Sequence, residues 1–509
     1  MINTFVQSAN SRCVAAQNVF GILLAATNTP ESVREVLAHG GLTISDVTLS
    51  GLLDSVRRDC VDRLTNLGKT GLVAIAYDNL DFKMPAGETT MTRQNTFESI
   101  TTGVIVPLMH GVTHEDLHCA KEIVDATKRC RDRGDTRSSK PGIPFNDVRL
   151  NGQSAMVVER AMAWQILWII IHAHFPEYKD SLSRPETSFQ IPATKNSPIP
   201  ARAMRAKVST NDGNVEAVQD LMQQAGIRKD DASEYVVIVN GDLGVLERLE
   251  GVQNNRSIET NAYESLRHLV TVPGLFHVKM AAADAVWRTY IEPKALRNSD
   301  GSVYTYFSML NSRDTSKLNT NTPFRMMHTG IETILKAAVL ECWRLESGSA
   351  TLEEFREQAR PGFAKLTGMA HTILKKYVGA DLDRMQSRGE GERDIVFENS
   401  VLFLRDALLY RVLSDSMNHG EIGTVEDVLW LWIPMFKSTH KHKYAAHLSK
   451  FLTHLRDVYP SRLSRAIRLH WLCNPRGKSD TFRAIDWYVE WNNLYHKVSS
   501  QNGSRSRLS

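Results

Sequence analysis

Three acidic residues in this sequence have the types and placements that phosphodiester chemistry on a sheet would require. Asp78 follows an apolar run in "GLVAIAYDNLDF" (71–82), and Asp242 follows another in "YVVIVNGDLGV" (235–245). Glu490 lies in the amphipathic stretch "SDTFRAIDWYVEWNNLYHKV" (479–498). A strand that closes on Asp fixes its carboxylate on a rigid backbone at a sheet's edge. Two such strands side by side bring like charges together, and each raises the other's pKa unless a divalent cation lies between them. Mg²⁺ or Mn²⁺ takes oxygen ligands and keeps several waters. A third acid from a helix completes a two-metal site, one ion activating the attacking oxygen and the other stabilising the leaving oxygen. From the residues alone, Asp81 competes with Asp78, and Asp486, one helical turn before Glu490, competes with it. An Asp after a strand also caps a turn or the next helix, an equal reading for Asp242 taken by itself. His277, in "LFHVKM", stands either beside such a site or in the core as a hydrogen-bonded buried histidine.

Positioning these residues takes a sheet and a closing helix. Strands are expected at 71–77, in "TTGVIVPLMHG" (101–111), at 235–241 and, shorter, in "GLFHVKM" (274–280). Before them, "TPESVREVLAHGG" and "SDVTLSGLLDSVRRDCVDRL" read as two helices, either a helix-turn-helix or, more commonly, two packed helices of a bundle. Residues 114–180 read as helical around a basic loop, "KRCRDRGDTRSSKPG". The stretch "DGNVEAVQDLMQQAGI" reads as a helix closed by Gly226, and "NAYESLRHLV" as a helical segment. From 283 to 470 nearly everything has helical periodicity. Mixed strands and helices followed by one long helical run describe an α+β chain, predominantly helical, with an insertion.

The bulk numbers fit a globular chain: 509 residues, 42% hydrophobic and 23% charged. Six cysteines without a C-x-x-C pair argue against a disulfide scaffold or a thiolate zinc site and suit a reducing compartment. No secretory signal is evident. The most apolar run, "WQILWIIIHAHF" (164–175), is short for a bilayer core of about 30 Å and reads as a buried helix, so no membrane partner is expected. Charge is nearly balanced overall, yet from Val428 to Ser479 ten Lys or Arg face the single acid Asp457. Lys437, Lys441, Lys443, Arg465, Arg468, Arg476 and Lys478 of that window are the expected nucleic-acid contacts, because clustered cations neutralise phosphates and release counterions. The loop Lys128–Lys140 is a second candidate. His440 and His442, with His447 and His454 nearby, read as part of this basic surface rather than as metal ligands. Trp430, Trp432, Trp471 and Trp487 fall at apolar helical positions and read as core.

Several segments resemble a large fungal family of uncharacterised domains related to the Kyakuja–Dileera–Zisupton transposases. They are "AYDNLDF" with "TTGVIVPL", "GDLGVLERL", "PGLFHVKM" and "NPRGKSDTFRAIDWYVEWNN", co-linear from about residue 60 to 498. The resemblance implies a ribonuclease-H-like core carrying a DDE triad, Asp78, Asp242 and Glu490, as catalytic residues and ligands of Mg²⁺ or Mn²⁺. It favours Asp78 over Asp81 and Glu490 over Asp486. Implied boundaries are a helical region at 1–68, the core at 69–282, an all-helical insertion at 283–470, the closing helix at 471–498 and a disordered tail at 499–509. The function implied is metal-dependent DNA strand cleavage and transfer. The alternative is an inactive, domesticated nucleic-acid-binding or scaffold protein of the same fold. DNA is the expected partner, self-association into a homo-oligomer suits the reading, and a nuclear location follows from the resemblance alone, a cytoplasmic one otherwise. Relatives longer at the amino terminus imply a further DNA-end-recognition domain there.

Overall fold

Along residues 73–77 the side chains alternate between two cores, and this alternation sets the architecture. The computed structural model describes residues 13–493 apart from 28, 85–95, 124, 126–151, 229–233, 257, 260–262, 292–301, 311–321 and 390. Val73, Ile75 and Tyr77 point into one buried cluster, Ala74 and Ala76 into another. A strand feeding two cores reads as a continuous apolar run, because successive side chains point to opposite faces.

Strands β1 (Val73–Met84) and β2 (Thr96–Pro107) form a long antiparallel hairpin, with Val73 opposite Pro107 and Met84 opposite Thr96. β3 (Ile199–Pro200) adds antiparallel to β2, while β4 (Val237–Gly241) and β5 (Leu269–Pro273) run parallel to β1. The resulting mixed sheet has the order β3-β2-β1-β4-β5. β4 pairs only with Ala74–Ala76 of β1, and β1 continues beyond it to Met84. Asp78 therefore lies within a strand rather than at its tip. The switch from apolar to acidic residues marks where β4 leaves β1, not where β1 ends.

One face of the sheet is covered by α3 (Asp46–Gly68), α5 (Asn211–Ala225) and α6 (Leu243–Asn255). α1 (Ala15–Ala26) and α2 (Glu31–His39) pack on α3, which starts at Ser45, whose hydroxyl accepts the Thr48 N–H. Gly68 crosses so close to the Ala225 carbonyl that any side chain there would overlap it.

The other face carries α4 (Gly152–His174), α7 (Leu275–Tyr290) and a helical block. The block comprises α8 (Val303–Leu310), α9 (Phe324–Ser347), α10 (Phe363–Ile373), α11 (Ile395–His419), α12 (Ile422–Ser438), α13 (His442–Thr453) and α14 (Ser461–Leu469). A two-residue hairpin of β6 (Leu472–Cys473) and β7 (Arg483–Ala484) leads into α15, residues 485–493. One continuous buried cluster links Ala74 and Val272 of the sheet with Trp343, Tyr410 and Trp432 of the block. α7 runs through residue 283, so sheet and helical block share that element as well as a core. α4 is apolar and long enough by composition to cross a membrane, and 61% of that window is buried inside the protein.

The segment 274–280 is not a strand. Leu275, Val278, Ala282 and Val286 are buried at helical spacing, which makes it the start of α7. The strand is the preceding "LVTVP", inside and just past the stretch that reads as helical from its sequence.

Candidate active site

The three acids arrive from two strands of the sheet and from a helix packed on its face. Asp78 shares the parity of Ala74 and Ala76 and so points to the face covered by α7 and α15, whereas Asp81 has the opposite parity and is exposed. Asp242 follows Gly241 at the end of β4 and caps α6, its Oδ1 accepting the Val245 N–H at 2.8 Å. Glu490 comes from α15, about a third exposed.

The electrostatics tie them together. Burial pushes the Asp78 carboxyl up to about 7, and the negative charges of Glu490 and then Asp242 push in the same direction. Opposing them are the Asn79 N–H, which donates to Asp78 Oδ1 at 2.7 Å, and the charge of His277. The field of Asp242 also reaches Tyr77, His277 and Tyr444, so it borders the same space.

His277, at the first turn of α7, lies between two acids of α15. Its Nδ1 is 3.0 Å from Asp486 Oδ2 and its Nε2 is 3.5 Å from Glu490 Oε1, an ion pair at the outer limit of hydrogen bonding. Burial disfavours the imidazolium. The bonds to Asp486 and Glu490 and the charges of Asp486 and Asp242 outweigh it, holding the group up at about 11. His277 is therefore a resident cation at the edge of the acidic cluster.

Asp486 and Glu490 do different jobs. Asp486 is 5% exposed and accepts the backbone N–H groups of Phe276 (3.1 Å) and His277 (2.9 Å) at the open end of α7. Gly274 makes room for it, since a Cβ there would overlap the carboxylate. With its oxygens committed to this cap and to the imidazole, Asp486 is a positioning group, and Glu490 is the acid of α15 whose charge acts on Asp78. α15 is fixed over the sheet by Asn493, 1% exposed, which accepts the Thr102 hydroxyl hydrogen and donates to the Asn79 carbonyl at 3.4 Å. Thr102 stands directly opposite Asp78 in the hairpin. Asn493, Thr102 and the capping role of Asp486 do not figure in the sequence reading. Their one signal is a polar stripe 486, 490, 493 at the spacing normally apolar on a packed helix.

Among the described residues, no three His, Cys, Asp or Glu side chains form a grouping tight enough to hold a metal ion as they stand. The donor set nevertheless suits a hard divalent cation: Asp78, Asp242 and Glu490 offer only oxygen, and Asp78 is under-neutralised by its surroundings. His440, His442, His447 and His454 make no metal-holding group among the described residues either.

The basic window reads differently in three dimensions. Six of its ten cations form ion pairs: Lys441 with Asp284, Lys443 with Glu247, Lys450 with Glu250, Arg456 with Asp457, Arg462 with Glu122 and Arg468 with Glu426. Most of these bonds dock α13 and α14 on neighbouring elements. Arg465 donates to the His110 carbonyl at 3.1 Å. Lys437, Arg476 and Lys478 are exposed, and no ion pair involves them among the described residues. The loop Lys128–Lys140 lies outside the described residues.

No curated protein and no solved structure matches the chain. A family model does match over residues 138–507, taking in β3–β5, Asp242, His277 and Glu490 and beginning after Asp78. As that match covers well over half of the sequence, the chain belongs to this family, DUF6589, a family of unknown function.

Proposed function

We propose that the protein has a ribonuclease-H-like core and carries out DDE-type, divalent-metal-dependent cleavage and transfer of DNA strands, in line with its resemblance to transposase-related domains. The observation that carries the reading is the electrostatic convergence of Asp78, Asp242 and Glu490 on one side of a β3-β2-β1-β4-β5 sheet. Acids from three elements far apart in sequence act on one carboxyl, and a site that shifts it to about 7 is a functional candidate.

In this reading Asp78, Asp242 and Glu490 hold Mg²⁺ or Mn²⁺, which when bound offsets charge on the attacking and leaving oxygens. The chain's own contribution is positioning. α15 is pinned by Asn493, α7 is capped by Asp486, and His277 pairs with Glu490. The reaction is in-line displacement at phosphorus. A water oxygen bonds to phosphorus, the bond to the 3′ oxygen breaks, and a proton from the water ends on that leaving oxygen. In strand transfer the freed 3′-hydroxyl oxygen bonds to the phosphorus of a second phosphodiester, that diester's own 3′ oxygen leaves, and the hydroxyl proton ends on it. Alignment supplies much of the rate. DNA as partner, a nuclear location and self-association belong to the same reading.

A second reading, a non-catalytic nucleic-acid-binding or scaffold protein, is favoured by one observation: His277 already supplies Glu490 with a cation. Nicking of supercoiled DNA in Mn²⁺ separates the two. The catalytic reading expects cleavage by the wild type and none by Asp242→Asn; identical behaviour of both proteins leaves the second reading.

A further inference from the structure

Next to Glu490, α15 carries an aromatic ladder that the acidic site does not use. Trp487 and Trp491 are one turn apart with rings parallel to within 2° and centroids 6.1 Å apart. The Arg483 guanidinium lies over Trp487 at 5.9 Å, and Tyr488 meets Trp491 edge-on at 6.0 Å. Trp487 and Tyr488 pack against the core, so the base of the ladder is anchored. Trp491 is 55% exposed, so part of its ring is open among the described residues.

Position adds to this. At 100° per residue, Glu490 lies about 60° from Trp487 and 100° from Trp491 around the helix, so the ladder flanks the acid on the same half of α15. Arg483 donates to the Phe482 carbonyl at 2.6 Å and makes no ion pair among the described residues. The ladder thus sets two parallel indole rings, the inner one with a guanidinium over it, beside a cluster of acids. A duplex hides its base faces, whereas an unpaired strand offers them, and stacking on an aromatic ring with a cation behind it is how proteins hold unpaired bases.

We infer that the Arg483–Trp487–Trp491 ladder is a stacking subsite for an unpaired nucleobase of a DNA strand whose backbone runs past Glu490. The inference rests on the nucleic-acid reading of the site but not on catalysis, since stacking needs neither metal nor the acids.

The test is anisotropy of a labelled single-stranded oligodeoxyadenylate titrated with the full chain in EDTA. Trp491→Ala should weaken binding roughly ten- to hundredfold, as expected for losing one stacked base. Trp491→Phe should restore most of it, and affinity for a blunt duplex should stay unchanged. Binding is read in EDTA, so a protein that never nicks DNA but loses single-strand affinity on Trp491→Ala leaves the subsite standing. Equal single-strand affinity of wild type and Trp491→Ala overturns the inference even if nicking is found. So does a fall in the wild type's sedimentation coefficient on Trp491→Ala, which would make the ladder a self-association surface. Thermal melts of the variants guard against misfolding, and an exposed Trp predicts unchanged midpoints.

Discussion

Replacing Asp486 by Ala separates the two acids of α15 by the work each does. The carboxylate is 5% exposed and accepts two backbone N–H groups and the His277 ring. Losing an N-terminal cap costs about 0.5–2 kcal/mol. Leaving a buried charge without its partner costs about 3–5 kcal/mol, here moderated because Glu490 stays 3.5 Å from the imidazole. The expected total is about 3–5 kcal/mol, the two losses overlapping at one imidazole. Asp486→Asn keeps an acceptor oxygen but not the charge, and should cost about 1–3 kcal/mol. Glu490→Gln should stay within about 1 kcal/mol of wild type, since that side chain is partly exposed and repels Asp78. The assay is guanidinium unfolding followed by tryptophan fluorescence, comparing midpoints at equal slopes. If Asp486→Ala is neutral, or Glu490→Gln costs as much, the roles assigned to the two acids are wrong.

Other outcomes follow from the same contacts. Burial would raise the Glu250 carboxyl, but His447 and Lys450 outweigh it and hold it at about 2 instead of the ordinary 4.5. Lys450 Nζ is 2.8 Å away, whereas His447 Nδ1 lies 3.6 Å off, beyond hydrogen-bond reach, so Lys450 is the firmer partner. The stabilisation is present in full above pH 4.5, falls away as pH drops toward 2, and is at most about 3 kcal/mol. Acid unfolding should therefore be less steep in Glu250→Gln. Arg468→Ala should destabilise by about 3 kcal/mol, because it strands half-buried Glu426. Arg476→Ala and Lys478→Ala should leave melting unchanged and, if these residues touch phosphates, each lower the salt slope of duplex binding by about 1. Tyr290→Phe should cost about 1–3 kcal/mol in a thermal melt, since Asp406 loses a 2.6 Å hydrogen bond in a buried setting.

Strands β1 and β4 were legible because unbroken apolar runs bounded by polar residues are what doubly buried strands require. β5 was not, since a short apolar run beside Pro273–Gly274 fits strand and helix start equally. The choice of Asp78 over Asp81 was available from parity with Ala74 and Ala76, once the strand was known to extend past both. The choice between Asp486 and Glu490 was not, because it depends on the open end of α7 arriving under α15 from 210 residues away. The ion pairing of the charge window was not legible for the same kind of reason: the acids that pair with it, Glu247, Glu250, Asp284 and Glu426, all lie outside it in sequence and across from it in space. Trp487 fits the expectation of a core residue, while its neighbour Trp491 faces solvent.

The central claim is that Asp78, Asp242 and Glu490 form one cation site. Calorimetric titration of Mn²⁺ into the wild type, Asp78→Asn, Asp242→Asn and Glu490→Gln, each checked by its melt, addresses it directly. The account predicts binding by the wild type that is lost or strongly weakened in each of the three variants and retained in Asp81→Asn. Equal heats in all five proteins, whether large or negligible, would contradict it.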